Sequence, residues 1–306
     1  MHIFITGASG VIGSHTLRYI LAQGHTVTAT DIVPLPQDLK LPHGSIFVEV
    51  DCTDFRAVEK AMLQKPCDGV IHLGAIANPR TGADARTVHN VNVTASYNVM
   101  RTAADQGIKR IVQASSVNAT GLLYSADSRR KFDELPLTEQ SPAHPEDPYS
   151  LSKLICEIQA DSICRLYEDL RISSLRFHHA CDHHKYGIPR SRHEDLWSCL
   201  SLNAAARACL LGLTANEPSF CRGHEAFYIL HDDLTFGKAC TEIGEGFYDE
   251  AMKNGMDPDT VTAKELVELY YPGTKLRDGW WTEGNERRGF FDTSKAKKML
   301  GWYHEK

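Results

Sequence analysis

The chain has 306 residues, 42% of them hydrophobic and 24% charged, with a net charge of −6. That length gives one large domain or two modest ones ample core. The negative balance excludes a surface that attracts nucleic acid or anionic membrane as a whole, and no apolar run is long enough to span a bilayer. Met1 leads straight into the structural run His2-Ile3-Phe4-Ile5, so no targeting peptide is expected ahead of the fold. The cysteines (Cys52, Cys67, Cys156, Cys164, Cys181, Cys199, Cys209, Cys221 and Cys240) are odd in number and show no CxxC spacing. Reduced thiols in a cytoplasmic protein are expected, several of them acting as small core residues.

In chain order, the first half alternates strand and helix signals. Strands are predicted over 2–6, 25–30, 46–50, 69–73, 109–114 and 171–177, each a short run rich in Val, Ile or Phe, as strands buried on both faces should be. Helices are predicted over 11–23, 53–64, 84–106 and 148–168, with Gly24 and Gly107 placed as left-handed caps. This alternation specifies an α/β fold, a doubly wound parallel sheet. Further on, 196–212 has a helical pattern and 225–230 a strand pattern that is expected to join the sheet. Thr262 with Glu265 forms a capping box for a helix ending near Tyr271, and a last helix covers about 293–300. The expected division is a nucleotide-binding domain over 1–178 and a small C-terminal substrate-binding lid over 179–306, set above the sheet edge where ligands sit in open α/β folds.

The strongest local signal is Thr6-Gly7-Ala8-Ser9-Gly10-Val11-Ile12-Gly13, three glycines between a strand and a helix. Gly7 permits a tight turn, Gly10 lets the backbone approach a pyrophosphate, and Gly13 lets helix and strand pack closely. The helix start, with Ser9, Val11 and Ile12, offers free N–H groups and partial positive charge to the phosphates. The bland alternative is a tight strand–helix turn. Asp31 closes the second strand 18 residues after Gly13. A carboxylate there accepts from the adenosine ribose hydroxyls and repels a 2′-phosphate, which points to NAD over NADP. Asp51 and Cys52 end the third strand, either at the adenine edge or simply ahead of the next helix. His72-Leu73-Gly74-Ala75 ends the fourth, where Leu73, Gly74 and Ala75 would let the dinucleotide pass.

Tyr149-Ser150-Leu151-Ser152-Lys153 opens a helix after Pro148, with Tyr149 and Lys153 on one face. Together with the glycine turn, Asp31, residues 72–75, Asn92 to Ser96, Ser115-Ser116 and the late run Asp292 to Trp302, this resembles the extended short-chain dehydrogenase/reductases, in the NAD-dependent epimerase/dehydratase family. The resemblance covers nearly the whole chain. It implies a Rossmann domain, bound NAD, and catalysis by Tyr149, Lys153, Ser116 and Asn92. Ser116 would bond the reacting oxygen, Lys153 would also hold the nicotinamide ribose, and Asn92 would support a proton relay unless it merely braces the backbone. A free tyrosine titrates near about 10, and bringing it toward neutrality needs roughly 4 kcal/mol of differential stabilisation, a task assigned to Lys153 and the positive nicotinamide ring. Tyr149 would then take a proton from a substrate hydroxyl as hydride moves to NAD. Family members commonly pair as homodimers, here through helices 84–106 and 148–168.

Other signals are weaker. His178-His179-Ala180-Cys181-Asp182-His183-His184 lacks regular ligand spacing, so a polar loop facing the substrate is expected and no metal. Glu157 is expected to be a surface partner of Lys153. Residues 124–148, with four prolines, suit a loop over the active site. In nucleotide-sugar epimerases of this family an Asn stands where this chain has His179, and a long insertion follows. Only 180–196 precede the next family segment at Trp197-Ser198, too few to supply both a helix and diphosphate donors. Arg192, with Arg190 nearby and with Ser116 and Asn118, resembles the uronate dehydrogenases, which oxidise a free sugar acid. A guanidinium can grip a carboxylate through two parallel bonds, while the alternative is a pair of solvated loop charges. Three functions stay open: a dehydrogenase of a small sugar, sugar acid or other hydroxy compound, a nucleotide-sugar epimerase or dehydratase that keeps NAD bound, and a sensor that holds NAD without chemistry. The intact Ser116, Tyr149 and Lys153 count against the sensor.

Overall fold

A computed structural model describes residues 1–126, 132–182, 193–235, 255–257 and 259–304. Seven strands form one sheet: β1 (His2–Thr6), β2 (Thr26–Asp31), β3 (Ile46–Glu49), β4 (Gly69–His72), β5 (Arg110–Ser116), β6 (Arg171–Phe177) and β7 (Gly223–Ile229). Their order is β3-β2-β1-β4-β5-β6-β7, and every pairing is parallel. The order reverses between β1 and β4, which opens a crevice at the C-terminal ends of those two strands.

The alternation of strand side chains feeds two cores. Ile3, Ile5, Val27, Ile71 and Leu175 pack on one face with α1 (Val11–Ala22), α5 (Leu202–Thr214) and α7 (Ser294–Leu300). Phe4, Val70, Ile111 and Ile172 pack on the other with α2 (Phe55–Met62), α3 (Ala85–Asp105) and α4 (Pro148–Leu166). Helices thus cover both faces, which makes the fold a doubly wound α/β Rossmann sheet. A third cluster gathers beyond the strand ends. It joins Val117, Leu135, Trp197 and Leu230 to α6 (Ala263–Tyr270) and to Trp280, Trp281, Phe290 and Phe291. Elements past residue 178 therefore go to both places, with α5, β7 and α7 on the sheet and the aromatic cluster above it.

Close approach fixes the first crossover. Gly7 has φ +67, and a Cβ there would lie 2.6 Å from Gly74 N, while a Cβ on Gly13 would lie 1.8 Å from the Gly7 carbonyl oxygen. Both positions exclude any side chain, Gly7 for conformational and steric reasons together and Gly13 for steric ones. Farther along, the helical pattern at 196–212 starts later than its periodicity indicates. Leu196 and Trp197 have φ of 54 and 49, and Ser201 caps α5 by accepting from Ala204 N. The turn residues are apolar because they anchor the third cluster, so they mimic helix in a periodicity reading. Short paired strands at Ala180–Cys181 with Leu200–Ser201, and at Glu134–Leu135 with Lys275–Leu276, escaped that reading as well. The eight described cysteines are all free thiols, and no described helix is long and apolar enough to cross a membrane.

Candidate active site

One cavity of about 810 Å³ runs along the C-terminal ends of the strands. Gly7, Ser9, Gly10, Val11, Ile12 and Gly13 line it from the β1–α1 turn, Asp31, Asp51 and Cys52 from the next two strand ends, and Leu73, Gly74 and Ala75 from the end of β4. Ser116, Asn118, Tyr149, Lys153 and His179 line its far part. A smaller cavity of about 260 Å³ lies away from these groups, between Thr120, Pro136, His144 and Arg277.

The near part suits a dinucleotide on the structure's own terms. Helix α1 begins at Gly10 with no side-chain cap, whereas α2 to α6 are capped by Asp54, Asp84, Asp147, Ser201 and Thr262. The first-turn N–H groups of α1 are therefore left for an anion. Asp31 is oriented by backbone donors: Ser9 N (2.9 Å) reaches one carboxylate oxygen and Ile32 N (2.7 Å) the other. Asp51 accepts from Thr53 N and Oγ1, both at 2.8 Å, and leaves the capping of α2 to Asp54. Thr6 Oγ1 ties His72 Nδ1 (2.7 Å) to Gly74 N (3.2 Å), and burial, with Lys153 nearby, holds His72 neutral by lowering it to about 3.

At the far part, Ser116 Oγ accepts from Asn118 N (3.1 Å), and Ser116 faces the Tyr149 phenol and favours its ionisation. Lys153 Nζ donates to Ala114 O (2.7 Å) and lies 5.8 Å from the Tyr149 ring centroid. Burial pushes the Tyr149 phenol well above its usual range, against the pull of Ser116, and burial draws the Lys153 ammonium below its own. The expected lowering of Tyr149 rests on Lys153 and the nicotinamide ring together; in the protein by itself, desolvation of the phenolate dominates.

Asn92 departs from its expected placement too. It does not line the cavity but is buried, with Oδ1 accepting from Ile76 N (2.8 Å) and Nδ2 donating to Ile76 O (3.2 Å) and Ser152 Oγ (3.0 Å). That is the bracing arrangement, holding the β4 exit against α4. Glu157 is not at the surface: it is buried, and its partner is Arg176 at 2.8 Å, not Lys153. Arg190, Arg192, His183 and His184 lie outside the described residues. His178 accepts from His179 N at Nδ1 (2.7 Å) and so donates from Nε2 to Asp195 O (2.9 Å). Burial lowers it to about 4, and it works as a neutral brace.

Sequence reading missed Tyr124, Asn78 and Asp195 in the cavity wall. Tyr124 meets Tyr149 edge-on at 6.0 Å and carries the Arg80 guanidinium 5.2 Å above its ring. Of the loop 124–148, Tyr124 reaches the cavity, while Leu135 and Leu137 sink into the third cluster.

Residues 3–207 match the NAD dependent epimerase/dehydratase family. A UDP-glucose 4-epimerase of Caenorhabditis elegans is 29% identical over 336 aligned positions, covering all of this chain and 93% of the relative. Among solved structures, a Bifidobacterium longum UDP-glucose 4-epimerase in complex with NAD+ and UDP superposes with a TM-score of 0.70 at 18% identity, over 100% of this chain and 94% of that one. A mutated uronate dehydrogenase superposes with a TM-score of 0.59 at 23% identity, over 90% and 88%. Those two likenesses speak for the fold alone. The family match over two thirds of the chain carries the conclusion: the protein is an NAD-dependent enzyme of the extended short-chain dehydrogenase/reductase kind and belongs to the NAD-dependent epimerase/dehydratase family.

Proposed function

We propose that the protein oxidises or reduces a hydroxyl or carbonyl group on a small sugar-like substrate that carries no nucleotide. The observation that carries the reading is the convergence of Ser116, Tyr149 and Lys153 on the cavity whose other end is the glycine turn. Bound NAD would supply the hydride acceptor or donor at the substrate carbon. The chain supplies the rest. Tyr149 takes up or returns the proton of the substrate oxygen, Ser116 bonds that oxygen, and Lys153 stands beside them as a cation 5.8 Å from the Tyr149 ring. The third cluster acts as the substrate-side lid, His179 and Asn118 contribute to the pocket, and Arg192 is assigned to a substrate carboxylate on its place in the sequence.

The short excursion after β6 supports a substrate without nucleotide. Leu200 N donates to His179 O (3.0 Å), and Ala180–Cys181 pairs with Leu200–Ser201, so the excursion between the two paired segments spans only residues 182–199. The Caenorhabditis elegans relative favours a second reading, a nucleotide-sugar epimerase that keeps NAD bound through the turnover.

A panel of aldoses, sugar acids and alcohols, followed by NADH absorbance, tests the first reading. Tyr149→Phe is expected to cut turnover by roughly 10²–10⁴-fold while NAD affinity stays within a few-fold, because it deletes the proton acceptor and little volume. Normal turnover by this variant would remove Tyr149 from its role. Calorimetry with UDP and a UDP-sugar separates the two readings: no saturable heat is expected, and tight saturable binding promotes the epimerase. Asp31→Ser should narrow a strong preference for NAD over NADP, since the carboxylate repels the extra phosphate; equal use of both cofactors by the unaltered protein would refute that. The exposed apolar Tyr97 on α3 and Leu151, Ile158 and Leu166 on α4 support a homodimer through these helices, and a strict monomer in sedimentation at micromolar concentration would rule it out.

A further inference from the structure

Helix α4 is joined to β5 at three successive strand residues. Gln113 Nε2 donates to Cys156 O (2.9 Å), Lys153 Nζ donates to Ala114 O (2.7 Å), and Ser115 Oγ donates to Glu157 Oε1 (2.5 Å). The third link is anchored again from β6, where Arg176 gives Nε to Glu157 Oε1 (2.9 Å) and Nη2 to Oε2 (2.8 Å). Glu157, Arg176 and Ser115 are all buried, at 5%, 4% and 3% exposure, and Glu157 does not line the cavity. Tyr149, Lys153 and Glu157 follow one another at four-residue spacing on one face of α4.

We propose that Glu157 is a positioning residue of the reaction centre: gripped by Arg176 and Ser115, it sets where α4 sits on β5 and so where Tyr149 and Lys153 stand relative to Ser116. This rests on reading Tyr149 and Lys153 as the reacting pair. A planar guanidinium bonded to both oxygens of a carboxylate fixes direction as well as distance, and Ser115 is the immediate neighbour of Ser116. A clamp at that point transmits any slip of the helix directly to the reacting oxygens.

The charges around Lys153 and Tyr149 add a second consequence. Lys153 is drawn down by burial, and Cys156 and Glu157 on its own helix push it up; from β4, neutral His72 faces it, and from β5 the Ala114 carbonyl. Tyr149 is faced by Ser116 from β5, by Tyr124, and by Asp147 and Cys156 on or beside α4. Arg176 and Tyr228 face Glu157 from β6 and β7. Glu157 is not among the groups acting on Tyr149. Loss of the clamp lets α4 slip on β5. That slip disturbs the placing of Lys153, 5.8 Å from the Tyr149 ring, and of Ser116, whose pull favours the phenolate. The pH at which Tyr149 ionises therefore rises.

The test compares Glu157→Gln, Glu157→Gln with Arg176→Met, and the unaltered protein, each saturated with NAD. NAD affinity is measured by calorimetry, kcat and KM by NADH absorbance, and Tyr149 ionisation by near-ultraviolet tyrosinate absorbance against the matching Tyr149→Phe protein. Glu157→Gln should bind NAD within about threefold and lose about tenfold or more in kcat, with the Tyr149 midpoint shifted upward. If that variant does not fold, the double variant, which leaves no charge buried alone, carries the measurement. It should hold NAD yet show the same kcat loss and upward shift, which a merely stabilising pair would not produce. A folded variant with unaltered kcat and an unmoved midpoint overturns the proposal. If the unaltered protein turns over nothing in the panel, the oxidoreductase reading fails on its own, and the tyrosinate titration alone decides the positioning role.

Discussion

Glu157 and Arg176 form an ion pair with almost no water around it, and the placement of α4 depends on it. Taking both charges out of water is costly, and removing one partner of such a pair costs about 3–5 kcal/mol because the other is left uncompensated. The pair is part of a polar seam under α3 and α4. Ser96 Oγ bonds Gln113 Oε1 (2.8 Å), Gln113 Nε2 reaches Ser174 Oγ (2.8 Å), and Ser174 Oγ meets His224 Nε2 (2.7 Å), whose Nδ1 meets Asp161 Oδ1 (2.8 Å). The last three residues have the order of a hydrolase triad, yet Ser174 is fully buried in β6 and already holds Gln113, so they brace the sheet. Apolar contacts tolerate small slides, whereas hydrogen-bonded buried groups accept one register only. The opposite face of the sheet is packed by Leu17, Ile20, Ala204 and Ala208, and there buried Arg171 and Ser173 bond the Gly212 and Leu213 carbonyls at the end of α5.

Burial at the reaction centre works against the chemistry proposed for it. The same desolvation that places Tyr149 and Lys153 in a fixed, dry geometry raises the phenol and lowers the ammonium. Both changes disfavour the ion pair that would make Tyr149 a base. Low polarity also strengthens each charge brought close, however, so a positive ring beside Tyr149 counts for more there than in water. On the proposed reading the protein is a poor base by itself and a competent one once the cofactor is in place, which ties proton transfer to the presence of a hydride acceptor.

The cofactor half of the cavity was legible because its requirements fall on the backbone. Gly7 and Gly13 sit where no Cβ fits, and Asp31 must end a strand that neighbours the turn, so spacing alone identifies them. Strands and helices of the first 178 residues follow from period and caps for the same reason. Glu157 was misread because four-residue spacing from Lys153 describes a helix surface as well as a helix interior. Only the partner on β6, nineteen residues on, decides between them. Asn92 was ambiguous in the same way, since an amide that braces Ile76 and one that relays a proton share one sequence signature.

The substrate half is harder to read because side chains from distant segments build it. Tyr124, His179 and Asp195 reach one wall through three different constraints. Tyr124 comes from the loop after the β5 exit, His179 follows the last residues of β6, and Asp195 is held where its carbonyl accepts from His178 Nε2. Trp197, with φ of 49, then turns the chain into the aromatic cluster. None of these positions demands a particular residue for the fold to close. A glycine at position 13 is enforced by a carbonyl it would otherwise strike, but the residue at 179 is limited only by what the cavity must hold. Fold and cofactor half therefore rest on steric limits of the backbone in this chain, while on the proposed reading substrate choice rests on side chains that the closing of the fold does not dictate.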